Sequence, residues 1–336
     1  LKSEYEKMGF NVHIISVGHT FREIARKEYL KMYPDRTDAN LADIQTDPSF
    51  IAKRDMIDKM VDGEVAKRGR EINNVERPND VYIIDSRLAW SNIPDSYAIR
   101  LTVNENIAGN RVFNDKTRGK EDQYGSLEEA IIKTRERKLA EISRYKQRYG
   151  VDLTNPDNYD LIVDTSYSKS DELAQIIIAG EEKYRSGGYY PKTWKSPALF
   201  LPSQKIGETL STSPIGSNIE DIIESINKKG YNPNGGVEAV EQNGISVLRD
   251  GHHRAIAALG AGKTLMPYFV EHKDDEFAKK YIDGDVRLQD IYDWEDCIRY
   301  YAKKGNIESL KEFEIGKVIN FNRILKTEPN NSGEGR

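Results

Sequence analysis

The sequence predicts an α/β protein: a parallel sheet in the first half, then a smaller α+β unit and a helical C-terminal segment. Three observations support this. Short apolar runs of strand length alternate with long helical patterns up to about residue 184. A Gly-rich join at residues 186–191 follows, and then two short strands flank Asn243-Gly244, which is a strong hairpin signal. The last helical stretch, residues 277–301, is rich in aromatic side chains.

The elements of the first half alternate regularly. The predicted strands cover residues 11–17, 81–85, 98–103 and 160–165. The predicted helices cover residues 1–10, 21–32, 50–68, 126–149 and 170–184. Strands that are separated by helices imply a parallel sheet, and ligands of such sheets bind at the carboxyl ends of the strands. We therefore expect functional side chains at the carboxyl ends of these strands.

Composition limits the class of protein. A length of 336 residues suits about two domains, and 38% hydrophobic with 31% charged residues is typical of a globular chain. No apolar run approaches the roughly 18 residues that a membrane helix needs, and no signal peptide is recognised. The single cysteine, Cys297, excludes an internal disulfide and fits a reducing compartment. We expect a cytoplasmic protein with no membrane partner.

Charge and local composition refine this expectation. A net charge of −5 disfavours broad attraction to nucleic acid, although a local basic patch stays open. The predicted domains are residues 1–185, residues 192–275, a helical extension at 276–326 and a disordered tail at 327–336.

The segment Asp250-Gly251-His252-His253-Arg254 is the most informative stretch of the second half. It lies between an apolar strand and an Ala-rich helical pattern, and a second strand follows at residues 265–270. Glycine can adopt the positive φ of a tight turn, and a helix N-terminus offers free N–H groups. Two imidazoles and a guanidinium beside those groups predict a phosphate pocket. The alternative is a helix-capping Asp250 with surface histidines.

Gly251, His253 and Arg254, preceded by Asp250, resemble the pocket motif of the ParB/sulfiredoxin superfamily, over residues 198–270. The resemblance implies a pocket for nucleotide phosphates, as in CTP-switched DNA partition proteins, sulfiredoxin and a free-serine kinase. Sulfiredoxin needs a cysteine where His252 stands, so its chemistry is not expected. In the serine-kinase branch an acidic residue acts as base, which makes Glu208 a candidate; the alternative is an exposed carboxylate.

Three segments of the first half carry a second resemblance. They are Gly18-His19-Thr20-Phe21-Arg22-Glu23, Asp85-Ser86-Arg87-Leu88-Ala89-Trp90, and the stretch from Arg144-Tyr145 to residue 165. Together they resemble the cytidylate kinase family of P-loop nucleoside monophosphate kinases, from residue 1 to about 184. The resemblance implies that Arg22, Asp85 and Arg87 bind the acceptor nucleotide.

The same resemblance implies that residues 126–149 form a lid helix whose Arg137 and Arg144 act in catalysis. These arginines are seven residues apart, hence on one helix face, with Glu141 between them. Positive charge over a transferring phosphoryl group is what kinase chemistry needs. The alternative is a solvated helix face with i,i+4 ion pairs.

The sequence departs from the family in two respects. The phosphate-binding motif Gly-x-x-x-x-Gly-Lys-Ser/Thr is absent, and residues 1–10 read as the helix that follows it. Either the chain starts just past that loop, or this domain has lost its donor site. His19, Lys138 and Ala140 replace residue types that are common in the family, which leaves the base preference open.

These observations predict a nucleotide-dependent phosphotransferase. The acceptor is a free pyrimidine nucleotide or a modified pyrimidine in DNA, and ATP or CTP with Mg²⁺ is the expected cofactor. The ParB-like unit would bind a second nucleotide or phosphate. Two rivals stay open: a nucleotide-gated DNA-binding protein with a relic kinase domain, and a small-molecule kinase acting on a free-serine-like substrate. No protein-held metal site is predicted.

Overall fold

The computed structural model describes residues 1–37, 44, 47–73, 78–93, 95–116, 124–203, 219–242 and 245–271. The chain divides into two compact units. The first contains Leu1–Ile99 and Val103–Asp160, and the second contains Arg100–Thr102 and the chain from Leu161 onward. Glu208, the predicted extension at 276–326 and the predicted tail at 327–336 lie outside the described residues.

The first unit is built on one pair of parallel strands. Strand β1 (Asn11–Ser16) pairs with β2 (Asp80–Asp85), with Val12 opposite Val81 and Ser16 opposite Asp85. The helices are α1 (Lys2–Lys7), α2 (Val17–Met32), α3 (Pro48–Asn73), α4 (Ala89–Asn92), α5 (Glu105–Asn114) and α6 (Leu127–Tyr149), and a 3₁₀ turn covers Pro156–Asn158. Both strand ends are therefore at one edge of the sheet.

Local sequence signals define the two helices that matter most. The Ser16 hydroxyl accepts a hydrogen bond from the His19 N–H, so α2 begins directly where β1 ends. The Ser126 hydroxyl accepts from the Glu129 N–H at 3.1 Å and caps α6. Gly150, with φ of 67°, ends α6 in the left-handed conformation that glycine adopts without strain.

The core of the first unit lies between α2 and α3. Its fully buried members include Ala25, Tyr29, Phe50 and Ile57. Helices α5 and α6 approach each other closely at Gly109, where an added Cβ would come within 2.6 Å of the Ile131 backbone. Glycine is required there because the two helix backbones leave no room for a side chain.

The second unit contains a mixed sheet of seven strands. In chain order they are β3 (Ile99–Thr102), β4 (Leu161–Asp164), β5 (Thr193–Lys195), β6 (Phe200–Pro202), β7 (Val237–Gln242), β8 (Ile245–Asp250) and β9 (Met266–Glu271), and their order in the sheet is β3-β4-β5-β9-β7-β8-β6. The pairs β4–β5, β6–β8 and β7–β9 are parallel, whereas β5–β9 and the hairpin β7–β8 are antiparallel. The helices are α7 (Ser170–Arg185), α8 (Ile219–Lys229) and α9 (His252–Gly260), and 3₁₀ turns cover Pro197–Leu199 and Pro233–Gly235.

The core of this unit surrounds α9. Its segment Ala255 to Leu259 is buried all round, and it packs with Phe200, Leu248 and Met266 from the sheet and with the apolar face of α8. The alanines make α9 narrow enough to lie against the sheet and α8 at once. No helix in the described part of the chain is long and apolar enough to cross a membrane.

The expectation of a mixed α/β fold with parallel strands is confirmed, but one detail is wrong. The four predicted strands of the first half do not share one sheet, because β3 and β4 pair within the mixed sheet. Helical patterns between strands do not show which strands pair, and β4 has β5, from beyond the Gly-rich join, as its other neighbour.

Candidate functional site

The first unit holds a cavity of about 660 Å³ at the carboxyl ends of β1 and β2. We call it the arginine cavity. Its walls are the start of α2, the turn after β2, and facing parts of α3 and α6. Five guanidinium groups line it: Arg22, Arg87, Arg137, Arg144 and Arg148. The structure thus brings together the four arginines that the sequence singled out, along with the predicted Asp85.

Two of these arginines come from the ends of the parallel strands. Arg22 is on α2, which begins where β1 ends, and Arg87 is in the turn after β2. The turn is fixed by the Ser86 hydroxyl, which accepts hydrogen bonds from the N–H groups of Leu88 (3.2 Å) and Ala89 (3.1 Å). Because β1 and β2 are parallel, both arginines reach the same edge of the sheet.

Helix α6 supplies the opposite wall. Arg137, Glu141, Arg144 and Arg148 recur at intervals of four, three and four residues, so they share one helix face, and all four line the cavity. The Glu141 carboxylate lies 3.2 Å from the Nε of Arg87, across the cavity from its own helix. The Arg144 guanidinium lies 5.4 Å from the centre of the Tyr145 ring.

Helix α3 contributes two carboxylates that the sequence did not reveal. Asp58 lies 2.5 Å from Arg148, and the Tyr149 hydroxyl donates a 2.6 Å hydrogen bond to Asp62. Burial, together with the bond to Asp62, raises the pKa of Tyr149 well above its ordinary value. The two aspartates are one helical turn apart, which was the available signal; nothing local in the sequence ties them to residues some 90 positions later.

The arginine cavity has a positive balance of charge. Its five guanidinium groups face four carboxylates, those of Asp58, Asp62, Asp85 and Glu141. The chain as a whole carries −5, so the surplus is local. Like charges repel, and they gather in a protein where an anion offsets them. The cavity is therefore suited to an anionic ligand.

A second cavity, of about 540 Å³, lies in the second unit beside α8. We call it the tyrosine cavity; its lining includes Ser225, Lys229, Tyr231 and Arg254. The Tyr231 hydroxyl is buried and has no hydrogen-bond partner among the described residues. Burial raises the pKa of this phenol, and Arg254 opposes that rise. A buried donor without a partner costs free energy, so a polar group that reached this hydroxyl would be stabilised by it.

The segment from Asp250 to Arg254 has the predicted strand–turn–helix–strand setting. Gly251 has φ of 92°, and a Cβ there would lie 2.6 Å from the Val237 side chain, so only glycine fits. Asp250 does not cap α9, whose first turn has no side-chain cap; it pairs with Arg254 at 2.7 Å instead. Arg254 also lines the tyrosine cavity.

The expectation of two imidazoles that face a phosphate at the turn has to be corrected. His252 is only 5% exposed, and its Nε2 accepts a hydrogen bond from the Ser203 N–H at 3.0 Å. Burial lowers the pKa of His252 to about 4, so the ring is neutral and attracts no phosphate as a cation. His253 is half-buried. The cation that this segment presents to a cavity is Arg254.

Gly262-Lys263-Thr264 matches the last three positions of a phosphate-binding loop. The structure excludes that role. A P-loop follows a strand and opens a helix, whereas this tripeptide follows α9 and precedes β9. Thr264 is fully buried. Its N–H donates a 2.9 Å hydrogen bond to Glu172, and its hydroxyl donates to the same carboxylate. The segment is a structural turn.

The fold is thus of the mixed α/β class, with two parallel strands that end at a cavity lined by arginines. No protein-family model matches the chain. The chain nevertheless belongs to the cytidylate kinase family, because it is 30% identical to the cytidylate kinase of Methanocella arvoryzae over 173 residues, which are 52% of this chain and 83% of that enzyme. The cytidylate kinase of Methanospirillum hungatei is 29% identical over 165 residues, 79% of its length.

Two further similarities are more limited. An S-adenosylmethionine-dependent nucleotide dehydratase of Lacinutrix mariniflava is 31% identical over 124 residues, but the chain spans only 24% of that protein's length. Among solved structures, the C-terminally truncated chromosome-partitioning protein ParB of Caulobacter crescentus, complexed with CTP-gamma-S, matches 40% of this chain and 78% of that chain, with 18% identity and a TM-score of 0.20. We base no conclusion on a likeness of that degree.

Proposed function

We propose that the first unit binds a pyrimidine nucleoside phosphate in the arginine cavity and takes part in phosphoryl transfer. One observation carries the proposal: Arg22 and Arg87 extend from the ends of two parallel strands into a cavity whose other wall bears Arg137 and Arg144. Membership of the cytidylate kinase family supports the choice of a nucleotide over other anions.

Each side chain has a distinct task in this proposal. Arg22 and Arg87 hold the acceptor phosphate, because a planar guanidinium can donate two parallel hydrogen bonds to phosphate oxygens. Asp85, at the end of β2, lies beside them and accepts hydrogen bonds from the acceptor nucleotide. Arg137 and Arg144 come from the opposite wall, where their charge would stabilise negative charge on a transferring phosphoryl group.

The donor would be ATP or CTP. Among the described residues no group of three or more His, Cys, Asp or Glu side chains is arranged to hold a metal ion. Mg²⁺ in such a reaction would bridge the donor phosphates, whose charge it neutralises. The residues that line the arginine cavity form no P-loop motif. The proposal therefore assigns them to the acceptor and to the transferring phosphoryl group.

Calorimetric titration with CMP, and with cytidine as the uncharged control, tests the acceptor site. We expect CMP to bind and cytidine to bind far more weakly. Arg22→Ala and Arg87→Ala should each weaken CMP at least about 10-fold, the effect of losing a charged hydrogen bond. Arg135→Ala is the matched control, because Arg135 is on α6 but pairs with Glu105 outside the cavity. Equal losses in all three variants would contradict the proposal.

The same titration distinguishes the two acceptors. A free nucleotide should bind as CMP or dCMP. A pyrimidine in DNA should bind instead as a short single-stranded oligonucleotide, with a steep loss of affinity as salt rises. If wild-type protein binds CMP but does not bind the oligonucleotide, the result favours a free nucleotide as the acceptor.

The tyrosine cavity favours a second candidate function, nucleotide or phosphate binding by the ParB-like unit. Its basis is the buried Tyr231 hydroxyl, which has no hydrogen-bond partner among the described residues, and Arg254, which lines the same cavity. Thermal shift with CTP and ATP tests it: Tyr231→Phe and Arg254→Ala should reduce the shift, and Tyr189→Phe should not, since Tyr189 is 60% exposed. If CTP or ATP binds in the tyrosine cavity and no nucleotide binds in the arginine cavity, the results favour a nucleotide-gated DNA-binding protein over a phosphotransferase.

The free-serine-like kinase is tested separately. Phosphorylation of free serine by the full chain with ATP and Mg²⁺ should be lost in Glu208→Gln if Glu208 is the base. Product formation that is unchanged in Glu208→Gln would remove Glu208 from that role, and absence of phosphoserine would remove the serine-kinase hypothesis.

A further inference from the structure

Two of the ion pairs that line the arginine cavity differ in burial. Arg148 and Asp58 are 16% and 19% exposed, whereas Arg87 and Glu141 are 60% and 27% exposed. Separating a buried pair leaves each charge without a partner in the protein interior, which costs free energy, so a ligand does not readily displace such a pair. Exposed pairs contribute little net stability, because water solvates both groups when they separate. The Arg87–Glu141 pair is therefore the one that a ligand can exchange.

Glu141 also has other partners within reach. It is four residues after Arg137 and three residues before Arg144, and all three face the cavity from α6. Its carboxylate nevertheless crosses the cavity to Arg87, 54 residues away in sequence. If it leaves Arg87, it can pair with an arginine of its own helix, and no charge is left without a counterpart.

From this arrangement we propose that Glu141 is an internal competitor for the anion site: its carboxylate occupies Arg87 in the empty cavity, and a ligand must displace it. The inference rests on the proposed function, since it assumes that Arg87 receives a ligand phosphate. It goes further by making Glu141 a specificity-determining residue. The two charges of a phosphomonoester compete well with one carboxylate at Arg87, whereas a singly charged anion gains little by the exchange.

Removal of the competing charge is the direct test. Glu141→Gln keeps the side chain's size and removes its charge. Binding to the full chain is measured by calorimetry, with CMP as the dianionic probe, the phosphodiester dinucleotide CpC as the singly charged probe, and cytidine as the neutral probe. We expect Glu141→Gln to bind CMP at least about 3-fold more tightly and CpC by a larger factor, with cytidine unchanged.

Two controls locate the effect. Glu136→Gln makes the same charge change on α6 at a residue that pairs with Lys133 outside the cavity lining, so it should leave all three affinities unchanged. In the double variant Arg87→Ala/Glu141→Gln, the gain from Glu141→Gln should disappear, because the competition acts through Arg87. Thermal melts of each variant show whether the fold is kept.

The outcomes separate this inference from the proposed function. If wild-type protein binds CMP and Glu141→Gln binds it equally or more weakly, Glu141 is not a competitor, although the acceptor site stands. If neither protein binds CMP or inorganic phosphate, the proposed function fails and the inference fails with it. Binding by Glu141→Gln that is tighter than wild-type binding, or present where wild-type binding is undetectable, supports the inference.

Discussion

The Tyr149 hydroxyl donates a 2.6 Å hydrogen bond to the Asp62 carboxylate, and this bond joins the last residue of α6 to the middle of α3. It lies next to the Asp58–Arg148 ion pair, so two contacts in adjacent positions fix the end of the helix. The helix end is thus anchored, while its middle reaches the cavity through the exposed Arg87–Glu141 pair.

Loss of the Tyr149 hydroxyl should destabilise the first unit. Tyr149→Phe leaves the Asp62 carboxylate without this donor in a partly buried place, which typically costs about 1–3 kcal/mol. Urea denaturation followed by circular dichroism measures the change in the free energy of unfolding. Tyr189→Phe is the control, because Tyr189 is exposed, and it should change stability by less than about 0.5 kcal/mol. Equal stabilities of the two variants would show that the contact contributes nothing.

His252 predicts a dependence of stability on pH. Its pKa is about 4 in the folded protein, against an ordinary value of 6.5. Above pH 6.5 the ring is neutral in both states and has no effect. As pH falls from 6.5 to 4, the unfolded chain binds a proton that the folded chain does not, so stability falls by an amount on the order of 2–3 kcal/mol.

The measurement is a series of denaturation curves between pH 7.5 and 4 for wild-type protein and for His252→Gln. Carboxylates also titrate near pH 4, so the informative quantity is the difference between the two curves. We expect the difference to shrink as pH falls, because glutamine keeps an acceptor for the Ser203 N–H without titrating. A difference that stays constant over this range would rule out the buried neutral imidazole.

Alanine substitutions at two glycines compare the free-energy cost of backbone strain alone with the cost of strain plus steric overlap. Gly150→Ala forces a side chain into the left-handed region, but nothing lies within 4 Å, so the cost should be about 1–2 kcal/mol. Gly251→Ala adds a collision, since the new Cβ would lie 2.6 Å from the Val237 side chain. We expect it to cost clearly more, on the order of 3 kcal/mol or above. Thermal or chemical unfolding of the two variants compares them directly.

The Gly262-Lys263-Thr264 turn predicts a loss of stability without a loss of nucleotide binding. Thr264→Val removes the hydroxyl that donates to Glu172 in the buried interior, and Thr264→Ser keeps it. We expect the valine variant to lose about 1–3 kcal/mol and the serine variant less. The affinity for ATP, measured at a temperature where both variants are folded, should not differ between them. A selective loss of ATP binding in the valine variant would restore the phosphate-loop reading.

The sequence predicted the elements well where the signal is local. Residues 126–149 were predicted to form a helix, and the structure has α6 at Leu127–Tyr149. The hairpin expected from Asn243-Gly244 is present as β7 and β8. Arg22 and Arg87 could be placed near each other because each follows a strand and parallel strands end at one edge.

Contacts between residues that are far apart in the sequence could not be predicted. Asp58 and Asp62 could not be assigned to Arg148 and Tyr149, because that pairing depends on how α3 lies against α6. His252 could not be recognised as buried, since its partner, Ser203, directly follows β6, the strand that pairs with β8. Strand partners have the same difficulty: nothing in residues 161–164 indicates that β4 lies beside β5.

That last pair has a practical consequence. The Gly-rich join at residues 186–191 suggests a place to cut the chain in two, yet β4 and β5, on either side of the join, are hydrogen-bonded neighbours. Leu161 and Val163 of β4 are completely buried in the intact protein. A truncated chain ending at residue 185 would present β4 as a bare apolar edge, of the kind that recruits other chains into aggregates. We therefore expect a chain that ends at residue 185 to aggregate, even though it contains every residue that lines the arginine cavity.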